Sequence, residues 1–129
     1  MVALRLPRIL VVDDEPAVRA LVMRALQEAG YEVVAVRDGE AGLHAAKSAG
    51  IPYDLVVTNS YMPTMTGEQL IGYLRELFPG LPILHLDDLS HPIGPHAEKV
   101  RTLYKPFSLT ALLEAVALAI GEGPGRREA

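Results

Sequence analysis

Five short apolar runs, rich in β-branched residues and separated by stretches of helical periodicity, set the strongest limit on what this chain can fold into. They are "RILVV" from Arg8, "YEVVAV" from Tyr31, "YDLVVT" from Tyr53, "LPILHL" from Leu81 and "RTLY" from Arg101. Strand-like runs alternating with amphipathic stretches are the pattern of βα units around a parallel sheet. The first run is apolar almost throughout, as a strand covered on both faces should be. After it, Pro16 suits the first turn of a helix. Val18, Leu21, Val22, Ala25 and Leu26 recur at helical spacing, and Gly30 can stop the helix in a left-handed conformation. Asp38 can cap a second helix reaching about Ala49, and Thr66 with Gln69 forms a capping-box pattern before a third, with Leu70, Ile71, Leu74 and Leu77 inward. Ser108 can cap the last helix, whose apolar stripe is Leu109, Leu112, Leu113, Val116 and Ile120.

Between the fourth and fifth runs the rhythm fails. "DDLSHPIGPHAEKV" holds Pro92, Gly94 and Pro95 close together, which removes donors and breaks a helix interior, so no full helix is expected there. At most a short turn over Ala97 to Val100 could form. Residues 1–121 read as one domain and 122–129, "EGPGRREA", as a flexible tail or linker.

Composition narrows the function. A chain of 129 residues, half of them apolar, is the size of one domain with a well-filled core. A net charge of -4 and a pI near 5.5 argue against direct nucleic-acid binding, which needs a basic face. The absence of cysteine excludes disulfides and thiolate chemistry and is compatible with a reducing cytoplasm. No apolar run reaches the roughly 18 residues that a membrane span needs. The expectation is a cytoplasmic protein that does not engage membrane.

In an open parallel α/β sheet, functional groups gather where the C-terminal strand ends meet the following loops. Those ends carry Asp13 and Asp14, Asn59, Asp87 and Asp88, and Lys105 before Pro106. Two adjacent acids opposite another oxygen donor suit a hard cation such as Mg²⁺, and a lysine can balance the charge or hold a phosphoryl oxygen. Alone, Asp13 and Asp14 would read as a solvated, helix-capping turn; set among the other strand ends they read as a site. His91 and His96, with Asp87 and Asp88, have ligand chemistry but lie in a Pro/Gly loop without register, and His85 reads as a packed strand residue. Tyr61 and Tyr73 could form a surface patch.

At these residues the sequence resembles the receiver domains of two-component response regulators. The resemblance is carried by "ILVVDDEPAVRALV", "DLVVTNSYMPTMTG", "LPILHL" and "KPF", in this order and at this spacing. It implies a flavodoxin-like, doubly wound α/β fold with a five-stranded parallel sheet of order 2-1-3-4-5, here with the fourth helical position degenerate or missing. It also implies a phosphoryl group passed from a histidine kinase to an aspartate at the end of the third strand, beside Mg²⁺. Carried over, Asp13 and Asp14 match the acidic pair, Asp14 being the more direct ligand. Lys105 matches the lysine before a cis proline. Asn59 stands at the phosphoacceptor position, and its side chain and the backbone carbonyl of Tyr61 complete the implied metal set.

The sequence departs from that pattern at four places. Asn59 replaces a carboxylate, and a neutral amide has no oxyanion with which to attack phosphorus. Asp87 falls where the family carries a small hydroxyl residue, and an acid there repels a phosphoryl oxygen. Its competing readings are an ion-pair partner of Lys105, an added metal ligand and a solvated loop acid. Three aspartates against one lysine nevertheless keep the formal charge of an ordinary receiver pocket. Thr102 replaces the aromatic that such domains tend to carry three residues before the lysine, and the stretch from Asp87 to Lys105 is a few residues short. Together these imply an atypical receiver, a pseudo-receiver, with no enzyme activity and with Mg²⁺ bound weakly or not at all. It would act through protein contacts with a histidine kinase or a downstream output protein or domain, and a homodimer is open to it.

Two alternatives stand beside this reading. The chain could be phosphotransfer-competent, either because Asn59 is an engineered replacement of the acceptor aspartate or because Ser60, Thr58 or Asp87 accepts instead. Or it could be a Mg²⁺-dependent phosphatase built on the acidic pair, for which no nucleophile-and-acid motif is present.

Overall fold

The computed structural model describes residues 5–87 and 99–121. The elements run β1 (Arg8–Val12), α1 (Pro16–Glu28), β2 (Glu32–Val36), α2 (Gly39–Ser48), β3 (Leu55–Asn59), α3 (Gly67–Leu77), β4 (Ile83–Asp87), β5 (Val100–Tyr104) and α4 (Leu109–Gly121). The strands form one parallel sheet of order β2-β1-β3-β4-β5. That is the order the resemblance implies. The broken helix, the turn at 97–100 except for its last residues, His91, His96, Asp88 and the 122–129 tail lie outside the described residues.

Strand alternation sorts the core into two halves. On one face Ile9 and Val11, Leu55 and Val57, and Leu84 and Leu86 pack with Val22 and Leu26 of α1 and with Leu112, Val116 and Ile120 of α4. On the other, Leu10, Val12, Val56 and Ile83 pack with Ala46 of α2 and Leu70, Ile71 and Leu74 of α3. Helices on both faces explain why β1, β3 and β4 read as nearly continuous apolar runs.

The helix starts follow the local chemistry. Pro16 opens α1, where the missing amide hydrogen is no loss, and Gly30 just beyond its end takes φ of 101°. Asp38 caps α2 by accepting from Ala41 N at 2.8 Å, and Ser108 caps α4 by accepting from Ala111 N at 3.0 Å. At α3 the capping box is complete: Gln69 N donates to Thr66 Oγ1 at 3.1 Å and Thr66 N to Gln69 Oε1 at 3.0 Å. Thr66→Ala removes the first of these bonds and should lower stability by about 1 kcal/mol, read as a shift in the urea midpoint with an unchanged slope.

Two boundaries differ from the sequence expectation in the same way. β3 runs one residue further, to Asn59, and β4 to Asp87. Polar residues at a strand end look like loop in a sequence. Here ladder bonds and neighbouring strands keep both extended, because Ser60 N donates to Leu86 O at 3.1 Å and Lys105 N to Asp87 O at 2.7 Å.

Candidate functional site

The C-terminal ends of β1, β3, β4 and β5 lie side by side, and the residues they deliver fall into two sets by strand parity. Asn59 continues the face of Leu55 and Val57, and Asp13 and Lys105, each one residue past its strand, continue the faces of Val11 and Leu103. Asp87 shares the opposite face with His85 and Ile83.

Asp13 is 1% exposed and turns the chain from β1 toward α1. Its backbone N–H donates to Val36 O at 3.1 Å, its Oδ1 accepts from Glu15 N at 2.9 Å and its own carbonyl accepts from Arg19 Nη1 at 2.9 Å. Its Oδ2 is buried with no hydrogen-bond partner among the described residues. Burial pushes the carboxyl above its ordinary value, against the pull of the Glu15 N–H and of Lys105, and the charge of Asp14 pushes the same way as burial.

Asn59, 5% exposed, is the centre of the site. Lys105 Nζ donates to its Oδ1 at 2.6 Å, and its Nδ2 donates to Asp14 Oδ1 at 3.2 Å and to Tyr61 O at 3.3 Å. The amide can sit only this way round: an ammonium is purely a donor, while a carboxylate and a carbonyl are purely acceptors. Lys105 is followed by a cis bond to Pro106, as the resemblance implies.

Behind Asn59 the start of α3 comes unusually close. Gly67 N donates to Ser60 O at 2.8 Å, and a Cβ on Gly67 would lie 2.1 Å from Asn59 O and 2.9 Å from Ser60 Cα. Gly67 therefore lets the helix press on the backbone that aims Asn59. The sequence reading passed over it, although glycine at the first position of a capped helix, where a better helix former would ordinarily sit, was a usable signal.

Asp87 is 1% exposed at the end of β4. The leading sequence reading paired it with Lys105, and here the structure differs: among the described residues no ion pair joins the two, and the ammonium bonds to Asn59 instead. Parity is the reason, since Lys105 and Asn59 follow one face of the sheet and Asp87 the other. It is also too buried for a solvated loop acid. Thr102 is aligned with His85, which is 1% exposed and has no hydrogen-bond partner for either ring nitrogen among the described residues. Tyr61 and Tyr73 are exposed, as expected for surface aromatics. Ser60 is buried beside Asn59, and Thr58 is buried with its hydroxyl donating to Asn59 O at 3.1 Å.

The resemblance implies Mg²⁺, and the residues present answer in two ways. The unpartnered Asp13 Oδ2 is the kind of oxygen a cation would take. The other three implied ligands are engaged: Asp14 Oδ1 and Tyr61 O face the amide nitrogen of Asn59, and Asn59 Oδ1 faces an ammonium. With a donor aimed at two of its oxygens, the set does not fit the ion as it stands.

Comparisons with known proteins agree on the family. The family model for the response regulator receiver domain matches residues 9–117. The response regulator protein FleR of Pseudomonas aeruginosa is 36% identical over 128 residues, covering 94% of this chain and 26% of FleR. The sensor kinase CckA of Brucella abortus is 35% identical over 112 residues, covering 84% of this chain and 12% of the kinase. The chain thus spans only a minor part of either relative. Among solved structures, chemotaxis protein CheY4 of Vibrio cholerae superposes with a TM-score of 0.80 at 30% identity, over 89% of this chain and 99% of that one. Response regulator TrrA of Thermotoga maritima, in complex with Mg²⁺ and BeF, superposes with a TM-score of 0.79 at 34% identity, over 88% and 99%. The strand order, the residues gathered at the strand ends and these matches lead to one conclusion: the chain belongs to the response regulator receiver domain family.

Proposed function

We propose that this chain is an atypical receiver, a module that signals by protein contact without taking a phosphoryl group onto its third strand. One observation carries the reading. The side chain at the end of β3 is an amide whose oxygen is held by Lys105 Nζ at 2.6 Å, so the position offers no nucleophile and the lysine is already engaged. Two further residues support it. Asp87 ends β4 without a hydroxyl to hold a phosphoryl group, and Thr102 offers no ring at its place on β5 to move in response. Without an acceptor the domain performs no chemistry of its own. Its partners would be a histidine kinase, an output protein or domain, or a second copy of itself, in the cytoplasm and without direct contact to nucleic acid or membrane. The matching segments in a response regulator and in a sensor kinase support partners of that kind.

Incubation of the chain with Mg²⁺ and acetyl phosphate, followed by intact mass, tests this directly. The expected result is an unchanged mass. A stoichiometric phosphoryl adduct, with acetate released, would overturn the reading, and mapping it would show whether Ser60, Thr58 or Asp87 had accepted.

A further inference from the structure

We propose that the Asn59 amide nitrogen does the work of the cation in this pocket, holding Asp14 and the Tyr61 carbonyl together so that the site is closed to divalent metal without any ion. The amide has two hydrogens on nitrogen, and two acceptors meet them, Asp14 Oδ1 at 3.2 Å and Tyr61 O at 3.3 Å. These are the oxygens on which a hard cation would otherwise draw. The opposite end of the same amide is fixed by Lys105 Nζ at 2.6 Å. To offer its oxygen to a metal, Asn59 would have to turn over. Its N–H₂ would then face an ammonium, donor against donor, and the charge-assisted bond to Lys105 would be lost. The residue is 5% exposed, so solvent cannot readily make good what is lost.

Of the implied set, Asp13 Oδ2 and the second carboxylate oxygen of Asp14 are what is left to a metal, and that pair without the Asn59 oxygen and with the Tyr61 carbonyl shared is a weak site. The chain Lys105 to Asn59 to Asp14 and Tyr61 thus ties β5, β3 and the β1 and β3 loops in one arrangement. In this respect Asn59 is a structural replacement for a bound ion as well as an inert substitute for an acceptor.

This inference rests on reading the pocket as a receiver pocket without its acceptor carboxylate, yet the two fail separately. A phosphoryl adduct would sink that reading by mass, whereas the cation claim is decided by binding alone. The test is a Mn²⁺ titration of the intact chain and of Asn59→Ala, followed by water-proton relaxation, with circular dichroism establishing that both are folded. If the amide were merely a poor metal ligand, removing it would leave binding equal or weaker. If it blocks the ion, Asn59→Ala should bind Mn²⁺ about tenfold tighter or more, although it has one oxygen fewer. Binding by the parent chain as tight as that of Asn59→Ala overturns the proposal. A second measurement needs no variant: the Asn59 side-chain N–H₂ resonances of the parent chain should stay in place when millimolar MgCl₂ is added. Their shift or loss would likewise overturn it.

Discussion

Replacing Gly67 by alanine is expected to destabilise the domain by about 3 kcal/mol, at the upper end of what overpacking a well-filled site costs. Propensity points the other way, because alanine in a helix is favoured over glycine by about 1 kcal/mol. Contact decides the sign. The added methyl would sit 2.1 Å from Asn59 O and 2.9 Å from Ser60 Cα, both backbone atoms that cannot rotate aside. Relief requires α3 to back away from the end of β3, and the Gly67 N to Ser60 O bond at 2.8 Å lengthens with it. Denaturant unfolding gives the stability loss. The same movement should disturb the Asn59 amide resonances well before global unfolding, because the displaced backbone is the one that aims that side chain. A variant as stable as the parent would show that the helix start is free to move and that the close approach has no energetic content.

The second large effect concerns His85. It is 1% exposed, both ring nitrogens lack partners among the described residues, and burial lowers its pKa below the ordinary imidazole value. The nearby Asp87 and Glu68 favour the charged form and Lys105 opposes it, but desolvation is the largest influence. The folded chain therefore holds His85 neutral, while the unfolded chain takes up a proton as pH falls below about 6.5. Above that pH the residue is neutral in both states and contributes no pH dependence. Below it, stability should decline by up to about 1.4 kcal/mol per pH unit, until the lowered folded pKa is reached. His85→Leu removes the titrating group and two unpartnered nitrogens together. It should raise stability by about 1–3 kcal/mol near neutrality, and its advantage should widen in acid. Urea unfolding of both proteins at about pH 7.5 and about pH 5.5 checks this. An advantage equal at the two pH values would mean that His85 takes up its proton as readily in the fold as in the unfolded chain.

The sequence announced much of the site and blurred its wiring. Asp13, Asp14, Asn59 and Lys105 were legible because parallel α/β sheets concentrate function at strand ends and each of these residues follows an apolar run. Asp87 was legible as a member of the group, but its pairing with Lys105 was not, because charge complementarity favours that pair whatever the geometry. Once β4 and β5 are in register, His85 with Thr102 and Asp87 with Tyr104, parity separates the two side chains. The burial of His85 was similarly hidden: a histidine within an apolar run is compatible with an edge or a covered strand, and only the packing around β4 tells which.

What this sequence determined by itself was the list and order of its elements. Periods of two and of 3.6 are properties of the local backbone, and Pro16, Asp38, Thr66 with Gln69, and Ser108 act on amides within a turn of themselves. The tertiary structure decided what those elements do to one another. The orientation of the Asn59 amide depends on Lys105, 46 positions away, and on Asp14, 45 positions away. The fit of Gly67 depends on a backbone carbonyl at the end of a different element. Hydrogen-bond direction and steric approach are set by where atoms lie in space, and residues this far apart acquire relative positions only when the sheet closes around them.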